Sequence, residues 1–123
     1  MKAFLAIAAL AALTAGPAYA DCTYPAAPNK IPDGATATID EMLAGQKAVK
    51  DYDKAIADYV ACIDLEVKDS IAKAGDQLKP AQKADMEKVE AQKHNAAIEQ
   101  EQSVADRFNE QVKVFRARTE KKK

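Results

Sequence analysis

Apolar residues recur every seven positions at Met42, Val49, Ile56 and Ile63, and Val60, Val67 and Ile71 widen the same stripe. That period belongs to one face of a long α-helix, not to the alternation of a strand. Thr38 followed three residues later by Glu41 has the form of a capping box and sets the helix start near Ile39, and Gly75 sets its end. A helix over 39–74 would run about 54 Å and cannot bury its own stripe. The connector from Asp76 to Lys79 is short, and Pro80 suits the first position of a second helix. That helix is predicted from about Pro80 to Arg118. It carries Met86, Val89, Ala97, Ile98, Val104, Phe108, Val112 and Phe115, and its middle is thin in apolar residues.

A short connection between two long helices implies an antiparallel hairpin. Folding about residue 77 sets Met42 near Val112, Val49 near Val104 or Phe108, Ile56 near Ile98 and Val67 near Met86. The expected hairpin core is therefore Met42, Val49, Ile56, Ile63, Val89, Ile98, Val104, Phe108, Val112 and Phe115. The fold class is all-α: a two-helix hairpin over 39–118, with an extended N-terminal arm over 21–38 and a basic tail over 119–123.

The first twenty residues read differently. Lys2, an apolar run from Ala3 to Leu13 and the small-residue exit Ala18, Tyr19 and Ala20 have the order of a removable export signal, with cleavage before Asp21. The run is about half the roughly 20 residues needed to span a bilayer, which disfavours a retained anchor. Tyr19, Ala20 and Asp21 before Cys22 disfavour a lipid anchor at that cysteine. Export also changes the meaning of the cysteines, because an oxidising compartment lets Cys22 and Cys62 form a bridge. Their spacing is unlike a CxxC redox or zinc pair. Two free thiols, or a bridge between chains, are the alternatives.

Between Asp21 and Gly34, Pro25, Pro28 and Pro32 interrupt any helical period and point to extended, partly polyproline backbone. Ile31 to Gly34 reads as a turn. Beside the main stripe of the first helix lies a second row, Ala48, Tyr52, Ala55, Tyr59 and Cys62, spaced three and four apart. From Cys22 to Thr38 an extended chain reaches roughly 50 Å, enough to run back along a helix to Cys62, about 36 Å away. The arm is thus expected to lay Tyr24, Pro25, Pro28 and Ile31 over a groove formed by Ala48, Tyr52, Ala55 and Tyr59. A floppy arm tethered only at the sulfurs is the alternative.

Composition narrows the chemistry. Of 123 residues, removal of 20 leaves 103, one small domain with 30% charged residues in the whole chain, four Gly and no Trp. His94 is the only His, with Glu90 four residues before it. This spacing could orient an imidazole or hold a metal weakly, yet it falls short of the paired Glu-x-x-His sets of di-iron bundles. Ser70 and Ser103 lack a strained turn or an adjacent base. There is no Gly-rich phosphate loop and no zinc or calcium pattern, so no enzyme, metal site or cofactor is expected. Lysines and carboxylates at four-residue spacing, such as Lys47 with Asp51 and Lys54 with Asp58, mark exposed helix faces. One asymmetry stands out: Lys113, Arg116, Arg118, Lys121, Lys122 and Lys123 oppose only Glu120 after residue 112, net +5, while residues 21–112 carry net −7.

Cys22, Tyr24, Pro25, the Ile31 to Gly34 turn, Ala37, Glu41, Met42, Gln46, Val49, Lys50, Tyr52, Tyr59, Cys62 and Glu66 together resemble a group of small, exported, functionally uncharacterised bacterial proteins. Those proteins combine a Cys and Pro-rich start, a Pro-Asp-Gly turn and a long helix with a second Cys. The resemblance covers mainly residues 22–66, with a weaker echo at Phe108, Asn109 and Glu110, and implies an exported helical protein of Gram-negative type with no catalytic residues to carry over. The expectation is a non-enzymatic binding or structural module of the bacterial envelope, periplasmic or extracellular, that touches another protein or a second copy of itself as a homodimer. The alternative is peripheral contact of the basic tail with an anionic membrane surface. No nucleic-acid partner is expected.

Overall fold

The computed structural model describes residues 21–122, so the expected export signal over 1–20 and Lys123 lie outside it. Two helices, α1 (Ile39–Ala74) and α2 (Pro80–Glu120), pack against each other, joined by one 3-10 turn at Gly75–Gln77. No strand occurs among the described residues. The α1 bounds match the expected ones. The Thr38 hydroxyl accepts from the Glu41 N–H at 3.2 Å, and the Glu41 carboxylate accepts from the Thr38 N–H at 2.7 Å, a complete capping box. These hydrogen bonds to Thr38 hold the Glu41 carboxyl below its ordinary value of 4.5. At the other end Gly75 takes φ 52° and ψ −134°, a conformation that side chains with a Cβ rarely adopt. Pro80 opens α2 at its first position. The second helix runs through Glu120, two residues beyond the expected end, so Thr119 and Glu120 belong to it and not to a tail.

Apolar residues meet in two clusters along the hairpin. One joins Tyr52 and Ile56 of α1 to Ala97 and Val104 of α2, with Val49, Tyr59, Val60 and Ile98 packed around them. The other joins Met42 to Phe108 and to Ala37 of the arm, with Val49, Val112 and Phe115 alongside. Both follow the expected register, and Ile63 continues the stripe at 2% exposure. Val89 departs from it. It was expected in the core and is 49% exposed. The α2 row that faces α1 passes through Met86, Glu90 and Ala97, and Val89 stands to one side of it, where nothing lies on top.

The arm forms a third layer. Cys22 and Cys62 are bridged, with their Cα atoms 5.8 Å apart, and the Tyr24 ring meets Tyr59 edge to face at 5.1 Å between centroids. Ala27 packs on the first cluster and Ile31 on both. The contacts also extend beyond the α1 flank on which the arm was expected. Pro32 and Gly34 are buried, and the Gly34 N–H donates to the Gln111 side-chain oxygen of α2 at 2.9 Å. The arm therefore sits in the channel between the helices, touching both. Its turn starts later than expected: the Asp33 carbonyl accepts from Thr36 and Ala37, and its carboxylate accepts from the Ala35 N–H.

Two glycines permit this seating by lacking a Cβ. A Cβ on Gly34 would fall inside the shell of the Gln111 carbonyl oxygen and lie 2.8 Å from the Phe115 nitrogen. One on Gly45 would lie 2.6 Å from Pro32 Cγ and 3.0 Å from a Phe108 ring carbon. Gly45→Ala gains about 1 kcal/mol of helix propensity, yet overpacking costs about 1–3 kcal/mol. Urea denaturation is expected to show a net loss, whereas a gain would mean that Pro32 is not seated on the helix.

Candidate functional site

The sequence-predicted residues divide into three places. Beneath the arm, Tyr52 is buried, Ala48, Ala55 and Tyr59 are half-buried, and Ala48 lines a cavity of about 310 Å³ beside Lys30, Pro32 and Thr36. Tyr52, expected as a wall of the docking groove, is 4% exposed and belongs to the cluster on which Ala27 and Ile31 of the arm pack. Its hydroxyl is buried and faces Tyr24. Burial first, and the neighbouring Tyr24 second, push its phenol up to about 12.

The cations expected to form a free basic tail do not all remain free. Arg118 donates to the Ala35 carbonyl at 2.8 Å and to that of Ala37, and its guanidinium lies 5.0 Å from the Phe115 ring centroid. It clasps the turn of the arm onto α2, which corrects the reading of Arg118 as a solvated tail residue. Lys113 pairs with Glu110 at 2.7 Å, which pushes its ammonium above the ordinary value. Arg116, Lys121 and Lys122 are exposed.

On the helix faces away from the arm, His94 and Glu90 line an interhelical cavity of about 470 Å³ with Asp53, Asp64 and Glu101. The His94 ring lies 3.3 Å from the Asn95 side-chain oxygen. Among the described residues, no three His, Cys, Asp or Glu side chains are grouped so as to hold a metal ion. Glu101 of α2 and Asp53 of α1 line the same cavities, and the Asp53 carboxyl first, then burial, raise the Glu101 carboxyl above 4.5. A carboxyl with a raised folded pKa favours folding most below the ordinary carboxylate range, and that contribution is lost as pH rises through the raised value. Glu41 has the opposite sign. Asp53→Asn should therefore relieve the strain at neutral pH and flatten the difference in thermal midpoint between pH 4 and pH 7. An unchanged difference would show that Asp53 is not what raises the Glu101 carboxyl.

The third place has no precedent in the sequence reading. The described part of the arm begins at Asp21, beside the bridge, and covers the hairpin only as far as Cys62. Beyond it Ile63, Val67, Met86 and Val89 line a groove of about 360 Å³ between the helices. In α2 no residue before Ala97 is buried. The described hairpin is thus three layers deep on one side of the bridge and two on the other. The sequence signal for this boundary was Cys62 itself, since the bridge fixes where Cys22 and the described arm begin along α1. No helix of the described chain is long and apolar enough to cross a membrane. Comparison with protein-family models, curated proteins and solved structures finds no match.

Proposed function

We propose that this chain is an exported, non-enzymatic helical module of the bacterial envelope that acts by binding another polypeptide through the uncovered half of its hairpin. The observation that carries the reading is the contrast across the bridge. On one side of it Tyr52, Ile56, Ala97 and Val104 are buried with Ala27 and Ile31 of the arm packed against them, while on the other Val67, Met86 and Val89 remain half-buried or exposed. A bridge between Cys22 and Cys62 is compatible with an oxidising, exported location.

The test has two parts. Amino-terminal sequencing of the chain recovered from the envelope fraction is expected to begin at Asp21. A photocrosslinking residue at Val89 in intact cells is expected to give adducts of defined mass, and the same residue at Lys47, on an exposed face, is not. Adducts at neither position, or a cytoplasmic chain still carrying residues 1–20, would contradict the reading. Peripheral contact of the basic end with an anionic surface is a weaker reading, because Arg118 and Lys113 already have partners within the chain.

A further inference from the structure

We infer that the distal groove binds an extended, apolar, proline-containing peptide segment flanked by cations, in the manner in which the proximal channel holds the arm; this rests on the binding role proposed above. The two sites lie along the same side of the hairpin, one on each side of the bridge. On α1 the row Ala48, Tyr52, Ala55, Tyr59 and Cys62 is followed at four-residue steps by Glu66 and Ser70, which line the groove beyond the bridge. On α2 Lys93 stands eighteen residues, five helical turns, before Gln111, so it lies on the side that receives Gly34. The structure itself shows what this channel accepts: extended backbone with Ala27, Ile31 and Pro32 pressed between the helices.

Size decides between a peptide and a second copy of the chain. From Ile63 to Ala74 the helix runs about 18 Å, and two helices side by side are about 20 Å across. The whole distal face is therefore on the order of 400 Å², roughly half of the about 800 Å² per partner that a stable interface uses. An extended segment of about five residues, at about 3.3 Å each, fills the same length. Charge adds a preference. Glu66, Asp85 and Glu90 border the groove against Lys93 alone, so a segment with flanking Lys or Arg matches it better than an acidic one.

The probe is the end-blocked heptapeptide Lys-Ile-Pro-Ala-Ile-Pro-Lys, which repeats the arm's own Lys30, Ile31, Pro32 order, added to the oxidised chain and followed by amide chemical shifts. Saturable shifts are expected within residues 63–70 and 85–93, weakened at least tenfold in Val89→Asp, whose helical circular dichroism stays that of the parent. They should also weaken with salt and when Glu replaces Lys in the peptide. Shifts that are absent at millimolar peptide, or fall on the arm instead, overturn the inference. So do concentration-dependent shifts of the groove without peptide, which would give the site to a second copy. Adducts at Val89 in cells without peptide binding would sink this inference and leave the proposed function standing; loss of both would remove the two together.

Discussion

Reducing the Cys22–Cys62 bridge, or replacing both cysteines by serine, is expected to lower the unfolding free energy by about 4 kcal/mol. The bridge closes a loop with a sequence separation of 40, and the chain-entropy relation gives that figure for a loop of this length. It is a large share of the about 5–15 kcal/mol typical of a domain. For a chain of this size each kcal/mol is worth about 4–8 °C, so the thermal midpoint should fall on the order of 20 °C. The loss should start at the far end of the arm. Tyr24 depends on the bridge to stay against Tyr59, whereas the turn at Asp33 to Ala37 is held separately by Gln111 and Arg118. Equal midpoints with and without reductant would mean that the bridge contributes nothing to folding.

Ile56→Ala is expected to cost about 2–5 kcal/mol, the range for removing a buried aliphatic side chain and leaving a cavity. Ile56 is fully buried, with Val104 equally so, at the level where α1, α2 and the arm meet. Collapse into the space is restricted from three sides at once, so the upper part of the range applies. Val89→Ala provides the contrast: at 49% exposure it should change stability by no more than about 0.5 kcal/mol. Urea denaturation of the two variants measures both. Similar losses at the two positions would place Val89 in the core after all.

The comparison of Ile56 with Val89 shows what periodicity can and cannot convey. The seven-residue recurrence through Met42, Val49, Ile56 and Ile63 marked the inward face of α1. With the short connector it also set the register, so Ile56 meets the Val104 cluster and Met42 meets Phe108. Thr38, Glu41, Gly75 and Pro80 marked the helix ends through local chemistry that neighbours cannot easily override. Periodicity does not say how deep a layer lies over a face. Val89 looked like a core position because it is apolar, but the covering it needed ends at Cys62.

Two further features were missed for related reasons. Arg118 was counted with the cations of the tail, although its role depends on carbonyls eighty residues away in sequence. Gly45, in the second turn of a helix that otherwise contains no glycine, is a further signal in the sequence. A helical glycine costs about 1 kcal/mol against alanine, so its presence pointed to something pressed closely on that face. That something is Pro32.

Amide hydrogen exchange at Gly34 tests the three-layered arrangement most directly, because its N–H is satisfied only if the arm reaches α2. In the oxidised chain the Gly34 amide is predicted to exchange far more slowly than a free peptide and to lose that protection in Gln111→Ala. A Gly34 amide exchanging at the free-peptide rate while α1 and α2 remain protected would contradict the account.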